Sequence, residues 1–314
     1  MSSTTSIAAP GSAVGRTAGP GLWGRLTQGS TVPILIVLAA ILVIWYAFTI
    51  YLNARWQFQV FDRAGAEYTV WEFIVGTMSQ DRPVLPAPHQ VAIELWNTTV
   101  GQSITSRRSL IYHAWITLSA TLLGFLMGTL LGMALAVLIV HNRATDRSLM
   151  PWIIASQTVP ILAIAPMIVV VLASIGMTGL VPKSLISTYL SFFPVVVGMV
   201  KGLRSPDFLQ LDLLRTYSAS RWQAFWKLRF PSSLPYLFTS MKVGVAASLV
   251  GAIVGELPTG AAGGLGARLL AGSYYGQTVQ IWSALFMAAA LSATLILLVG
   301  LVQRIVLARM GGQP

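Results

Sequence analysis

Six long apolar stretches, separated by polar and charged segments, dominate the pattern of the chain. They cover approximately residues 31–52, 113–140, 152–174, 180–200, 236–255 and 279–302. A helix needs roughly 20 apolar residues to cross a hydrocarbon core about 30 Å thick, and lipid offers no partner for an unpaired peptide group. The pattern therefore predicts an all-α membrane protein with about six transmembrane helices.

Composition agrees with this prediction and narrows the chemistry. Hydrophobic residues make up 55% of the 314 residues, charged residues only 9%, and the mean hydropathy is +0.73. A soluble domain cannot bury so much apolar surface. Cysteine is absent, and His89, His113 and His141 lie far apart, so we expect no metal site and no cofactor bound by this chain.

The net charge of +11 is distributed in a way that predicts an orientation. With the N-terminus in the cytoplasm, the inside segments carry twelve Lys and Arg residues and three acids. The outside segments then carry seven basic and six acidic residues. Basic residues concentrate on the cytoplasmic side of membranes, so we expect both termini in the cytoplasm and no nucleic-acid partner.

The chain divides into four predicted regions. Residues 1–30, rich in Ser, Thr, Ala, Gly and Pro, are expected to form a disordered cytoplasmic tail. Residues 31–112 hold the first transmembrane helix and an outside amphipathic segment. This segment is interpreted as an interfacial helix on the outer leaflet, with a solute-receptor contact surface as the alternative. The core transmembrane domain covers residues 113–306, and residues 307–314 form a second cytoplasmic tail.

The inside loop 201–235 is too polar to span a membrane and is patterned as two short helices. Ser205 is predicted to cap a helix that begins at Pro206. Ser220 and Gln223 have the spacing of a capping box that opens a second helix, which Pro231 and Pro235 are expected to end. An amphipathic helix pair of this kind suits insertion into a groove on another protein, and a helix pair lying on the lipid surface is the alternative.

The sequence of this loop resembles a known motif. The string Asp212-Leu213-Leu214-Arg215-Thr216-Tyr217-Ser218-Ala219-Ser220-Arg221-Trp222-Gln223, with Leu228-Arg229-Phe230-Pro231 and Ser233-Leu234-Pro235, is similar to the EAA loop of ABC importer permeases. The most similar branch is the nitrate/sulfonate/taurine type. The likeness extends over most of residues 83–306, and includes Pro160, Pro166 and the string Gly264-Leu265-Gly266.

The resemblance implies a type I ABC importer fold and a coupling role for the loop, which in the family docks into a cytoplasmic ABC ATPase dimer. The residues carried over are Asp212, Leu213, Leu214, Arg215, Ser218, Ala219, Trp222 and Pro231. The chain departs from the family pattern where Asp212 replaces glutamate, Leu213 and Leu214 replace alanines, and Ser218 replaces glycine. We therefore expect a second, non-identical permease as partner, and a homodimer stays open.

The same resemblance implies a function. It implies a multi-pass permease of the bacterial cytoplasmic (inner) membrane, which takes solute from an extracytoplasmic solute-binding protein by alternating access. The cargo is expected to be a small organic anion of the sulfonate or nitrate type, or a pyrimidine-like heterocycle. The chain has no phosphate-binding Gly-x-x-x-x-Gly-Lys-[Ser/Thr] string, so we expect no catalytic residues and ATP hydrolysis by the partner ATPase.

Polar residues within the spans are the candidates for a solute path, because they are costly in lipid unless they face protein or water. Ser156, Gln157 and Thr158 form one cluster. Glu256, at the outer end of the fifth span, either lines the path or is an interfacial carboxylate paired with Arg268. An ion-coupled secondary transporter is the alternative function, although ionisable residues deep in the spans and inverted repeats, which would favour it, are not evident in the sequence.

Overall fold

The computed structural model describes residues 31–65, 67–258 and 263–310, and every regular element within these ranges is helical. The predicted tail 1–30 and the last four residues of the predicted tail 307–314 lie outside the described residues. The helices are α1 (Thr31–Ala64), α2 (Val70–Met78), α3 (Pro88–Thr99), α4 (Leu110–His141), α5 (Arg143–Ser156), α6 (Ile161–Ser174), α7 (Leu180–Leu203), α8 (Phe208–Thr216), α9 (Arg221–Ala224), a π-turn (Phe225–Arg229), α10 (Phe230–Glu256), α11 (Leu265–Tyr274) and α12 (Thr278–Arg309).

The membrane-spanning architecture agrees with the predicted number of helices. Five helical stretches of the described chain are long and apolar enough to cross a bilayer: α1, α4, α7, the continuous run from α9 to α10, and α12. The pair α5 and α6 qualifies only when its two helices are taken together, which gives a sixth span. The predicted count of about six transmembrane helices is therefore confirmed.

The predicted third span, 152–174, is wrong as a single straight helix. Helix α5 ends at Ser156, α6 begins at Ile161, and the two axes differ by 97°. Pro160 precedes α6 directly. Proline lacks an amide hydrogen and disfavours helical geometry in the residue before it, so the chain turns at Val159 and Pro160 instead of continuing.

The first helix extends beyond its predicted end at residue 52. Helix α1 runs to Ala64 and lies beside α2. Asn53 joins the two segments: its Nδ2 donates to the carbonyl oxygens of Thr77 (2.9 Å) and Leu85 (3.0 Å), and its Oδ1 accepts from the amide of Val84 (2.8 Å). Burying the Asn53 amide costs little free energy, because its hydrogen bonds are made. The helix can therefore continue past the apolar run.

Helices α4, α7 and α10 pack together as the centre of the molecule. The sequence places Gly124, Gly128 and Gly132 at intervals of four residues, which predicts a stripe on one helix face suited to close packing, and the contact of α4 with α7 confirms it. A β-carbon at Gly124 would overlap Ser187 of α7. Hydroxyl groups reinforce the close approach, because Ser187 donates to the carbonyl of Ser248 (2.8 Å) and Ser248 donates to that of Thr121 (2.8 Å).

Candidate coupling loop and solute path

The first coupling helix, α8, begins two residues later than predicted. Asp207, not Ser205, is its N-cap: the carboxylate accepts from the amide of Phe208 (2.7 Å), and Gln210 Oε1 accepts from the amide of Asp207 (3.3 Å). Ser205 instead donates its hydroxyl to the carbonyl of Gly202 (2.8 Å). A charged carboxylate with a reciprocal glutamine three residues on is a stronger start signal than serine before proline.

The turn after α8 is held in a Schellman arrangement. The amide of Ser218 donates to the carbonyl of Arg215 (2.8 Å), and the amide of Ala219 donates to that of Leu214 (3.0 Å). Ser218 has a φ of +53° and is the one non-glycine residue with a left-handed backbone in the described part of the chain. The family motif that this loop resembles has glycine at this position. Serine here keeps the left-handed backbone conformation, although glycine adopts that conformation at lower cost.

The second coupling helix is joined directly to a transmembrane helix. The predicted capping box is confirmed: Ser220 Oγ accepts from the amide of Gln223 (3.2 Å), and Gln223 Oε1 accepts from the amide of Ser220 (2.8 Å). The predicted termination at Pro231 and Pro235 is wrong. The chain passes from α9 through the π-turn into α10 as one helical run of 36 residues.

The positions of Pro231 and Pro235 explain why neither proline ends the helical run from α9 to α10. Pro231 lies in the first turn of α10, directly after the π-turn, where a missing amide hydrogen is tolerated. Pro235 is accommodated inside the helix. Phe225, at the start of the π-turn, is buried against His141 of α4, with ring centroids 5.2 Å apart. The coupling loop is thus connected to the core by helix and by packing.

The eight coupling residues implied by the resemblance fall into two sets. Those at the tip are exposed: Asp212, Leu213, Arg215, Ser218 and Trp222. Those turned toward the rest of the chain are half-buried: Leu214, Ala219 and Pro231. Asp212 and Arg215 form an exposed ion pair at 2.8 Å, one turn apart on α8. The exposed set lies together with Phe208, Leu209 and Tyr217, which gives a largely apolar tip.

The first cluster of solute-path candidates forms the bend between α5 and α6. Ser156 donates to the carbonyl of Ile153 (2.7 Å), and Thr158 to that of Ala155 (2.8 Å). Gln157 Nε2 donates to Ser156 Oγ (3.2 Å), and the hydroxyl of Tyr189 donates to the Ser156 carbonyl. The three polar side chains lie together where the helix is interrupted.

Glu256, the remaining path candidate, is completely buried in a polar cluster. Its carboxylate accepts from Thr117 Oγ1 (2.9 Å) and from the amide of Gly266 (2.8 Å). The cation beside it is Lys183, whose Nζ lies 4.0 Å away and donates to the carbonyl of Gly263 (3.1 Å). Lys183 therefore occupies the place that sequence assigned to Arg268.

Arg268 has a different electrostatic environment. Burial lowers its pKa, and the charge of Glu94 offsets part of that shift. Lys183, one of the seven basic residues that the sequence assigns to the outside segments, lies in α7 and is buried. The chain does therefore contain a buried ionisable pair, which the sequence pattern did not reveal because the two residues are far apart along it.

Two further side chains complete this cluster, and sequence reasoning missed both. His113 Nδ1 accepts from the amide of Gly264 (3.0 Å), while its Nε2 donates to the carbonyl of Arg107 (2.9 Å). Thr117 Oγ1 also accepts from the amide of Leu265 (2.9 Å). Gly264 has a φ of +118° and lies against the Glu256 carboxyl, where a β-carbon would overlap it. The glycine string 263–266 was the available signal for this close approach.

Comparison with known proteins gives one consistent result. Residues 128–312 match the family model described as the binding-protein-dependent transport system inner membrane component. The chain is 32% identical over 222 residues to a riboflavin transport system permease of Chloroflexus aurantiacus, covering 71% of this chain and 79% of that protein. It is 31% identical to a formylaminopyrimidine transport permease of Halalkalibacterium halodurans, covering 63% and 74%.

Solved structures show the same fold. A methionine ABC transporter in an inward-facing conformation aligns with a TM-score of 0.56 at 19% identity, covering 63% of this chain and 95% of that one. An amino acid ABC transporter aligns with a TM-score of 0.51. The alternative of an ion-coupled secondary transporter is set aside, since the family and these relatives are ABC permeases. The chain belongs to the family of binding-protein-dependent transport system inner membrane components and is the permease subunit of an ABC importer.

Proposed function

We propose that this permease takes a small ring compound into the cytoplasm, and that residues 208–229 transmit ATPase movement to its membrane helices. The observation that carries the coupling part is the uninterrupted helical connection from α9 through the π-turn to α10. A force applied at Trp222 in α9 reaches α10 through continuous helix, and α8 is joined to α9 by the hydrogen-bonded turn at Ser218 and Ala219. Helix α10 packs against α7 and α4, so tilting it shifts the centre of the molecule.

The proposed partners follow from the site. An ABC ATPase dimer in the cytoplasm hydrolyses ATP and receives the tip formed by Leu213, Tyr217 and Trp222, whose exposed apolar surface fits a protein groove. The solute-binding protein docks on the opposite face. Both termini are cytoplasmic in this arrangement. Because leucines stand where the family has alanines, we propose a second, non-identical permease that carries a loop closer to the family pattern.

The proposed solute path includes Ser156, Gln157 and Thr158 at the α5–α6 bend, with Glu256 at its outer end. The bend supplies polar groups beside an interrupted helix, which is the form that backbone takes where it lines a cavity. Glu256 sits between α4, α7 and the turn before α11, so it either contacts the solute or sets the spacing of these helices.

We propose a pyrimidine-like heterocycle as the cargo. Supporting this, the permeases named for riboflavin and formylaminopyrimidine are 32% and 31% identical to the chain, whereas those named for sulfonates, nitrate and taurine are 22–26% identical. The experiment is uptake into proteoliposomes of the complete complex, with a labelled formylaminopyrimidine and labelled taurine as competing cargoes. Saturable uptake of taurine alone would contradict the heterocycle assignment and support the anion.

The coupling proposal is tested by affinity purification of the permease from its native membrane. We expect an ATPase and a second permease to co-purify, and a Leu213→Asp, Tyr217→Asp variant to lose the ATPase because carboxylates at the tip oppose burial in a protein groove. The matched control is Tyr274→Asp, Tyr275→Asp, a pair similarly exposed at the end of α11. Retention of the ATPase by the loop variant contradicts the coupling role, and a single permease species in two copies contradicts the non-identical pair.

A further inference from the structure

A cavity of about 420 Å³ lies behind the coupling helices, between α8, α9 and the end of α4. Its basic lining residues are His141, Arg215, Arg221 and Arg229. Leu211 and Leu214 contribute apolar wall. The volume falls in the range of roughly 300–1,000 Å³ typical of ligand pockets. Leu213, Tyr217 and Trp222, which form the tip proposed to meet the ATPase, do not line this cavity, so it is a separate feature of the loop.

The charge of the cavity is largely uncompensated. Arg215 is paired with Asp212 at 2.8 Å, but Arg221 and Arg229 form no ion pair with any residue that the structure describes. Asp212 does not line the cavity, and neither does any other acid in the described part of the chain. Two guanidinium groups and an imidazole around one partly enclosed space attract an anion, and guanidinium matches the geometry of phosphate oxygens.

The position of the cavity indicates the source of that anion. His141 ends the long apolar helix α4, and Arg229 directly precedes the long apolar helix α10, so both lie at ends of membrane-spanning helices, on the side that the proposed orientation makes cytoplasmic. Trp226, which is 47% exposed, lies on the same helical run as Arg229. Tryptophan together with Arg marks the membrane–water boundary, and basic pockets between helices on the cytoplasmic side suit phospholipid headgroups.

We propose that this cavity binds the phosphate-bearing headgroup of an anionic phospholipid from the inner leaflet. The inference rests on the proposed orientation, which puts the loop in the cytoplasm. The headgroup phosphate meets Arg221 and Arg229, and its acyl chains leave along the apolar surface of α4. A bound lipid then joins α4 to both coupling helices, so the lipid composition of the membrane determines how firmly α8 and α9 are held against α4.

The test is native mass spectrometry of the intact complex in detergent, with phosphatidylglycerol and phosphatidylcholine added in equal amounts. We expect the wild-type complex to retain phosphatidylglycerol preferentially, and Arg221→Gln, Arg229→Gln to reduce that preference about thirtyfold, since each basic residue contributes on the order of 1 kcal/mol of attraction to anionic lipid. Arg304→Gln, Arg309→Gln is the matched control, because these exposed arginines at the end of α12 do not line the cavity. The control is expected to keep the preference.

Three results overturn the proposal. Equal lipid preference in the wild type and the cavity variant shows that the arginines do not hold a headgroup. Displacement of the lipid by millimolar inorganic phosphate, with phosphate retained instead, makes a free anion the ligand. Loss of the ATPase from the cavity variant, with lipid binding unchanged, makes the arginines a protein contact. Failure of the proposed function itself is distinguishable, because then the wild-type complex contains no ATPase at all.

Discussion

At the scale of single residues, the positions that depart from expectation are those under the most physical constraint. Ser218 adopts the left-handed backbone that glycine adopts freely, and the two Schellman hydrogen bonds hold it there. Lys183 and Glu256 place opposite charges in the buried interior, supported by Thr117 and the backbone of Gly263 and Gly266. Each of these arrangements makes a quantitative prediction.

Replacing Ser218 by glycine removes the strain of a left-handed side-chain residue. We expect Ser218→Gly to stabilise the coupling loop by about 1 kcal/mol. Hydrogen exchange of the amides in α8 and α9, followed by mass spectrometry, measures this as slower local opening. Ala219→Gly is the control: Ala219 has no left-handed backbone, so glycine there is expected to destabilise the loop. Faster exchange in Ser218→Gly would contradict the assignment.

Replacing one member of the buried pair leaves the other charge without its counterpart. We expect Glu256→Gln and Lys183→Met each to destabilise the protein by roughly 2 kcal/mol, and the double variant to lose less than the two losses added together. Thermal unfolding of the purified complex gives the comparison, and Glu67→Gln, an exposed acid, is the control. Strictly additive losses would show that the two charges do not interact.

The same Glu256→Gln variant tests the path candidate. We expect solute uptake to change while the ATPase still co-purifies, because Glu256 lies far along the helical run from the coupling tip. Uptake kinetics identical to those of the wild type would remove Glu256 from the path and leave it a structural role.

At the scale of elements, close helix packing and an interrupted span are the two features that organise the membrane domain. The sequence predicted the glycine stripe of α4 because a period of four residues places small side chains on one helix face. It predicted the third span, 152–174, as one apolar segment, because apolar content alone does not show where a helix axis changes direction. Only Pro160, after the polar cluster, indicated a change of helix direction, and whether a proline breaks a helix depends on the residues packed around it.

The packing stripe predicts different outcomes for two glycine-to-alanine changes. Alanine favours helix over glycine by about 1 kcal/mol at either site. At Gly124 the new β-carbon meets the side chain of Ser187 and the backbone carbonyl of Ser184, so we expect a net loss of about 2 kcal/mol. At Gly300 the nearest atom of Lys242 is 3.5 Å away, an ordinary contact, so the change is expected to be neutral or stabilising. Equal melting temperatures for the two variants would contradict the packing.

At the scale of the whole molecule, the sequence was sufficient for the fold class, the number of spans and the family. These depend on long apolar runs and on a motif read along one continuous segment, 212–235. The buried cluster could not be predicted from the sequence, because its four side chains come from three helices and meet only when these helices pack. They are His113, Thr117, Lys183 and Glu256. The continuity of α9 with α10 was also missed, since proline at the start of a helix and proline beyond its end look alike in sequence.

Contact between the exposed tip of the coupling loop and a cytoplasmic ATPase can be measured by site-specific crosslinking. The chain has no cysteine, so Tyr217→Cys and Val70→Cys each introduce a single thiol, at positions that are both 77% exposed but lie in the coupling loop and in the α1–α2 region. After reaction with a photoactivatable maleimide in the intact complex, we predict that position 217 crosslinks to the ATPase and position 70 does not. Crosslinking of the ATPase from position 70, or no crosslinking of the ATPase from position 217, would show that the tip of the coupling loop is not the ATPase contact.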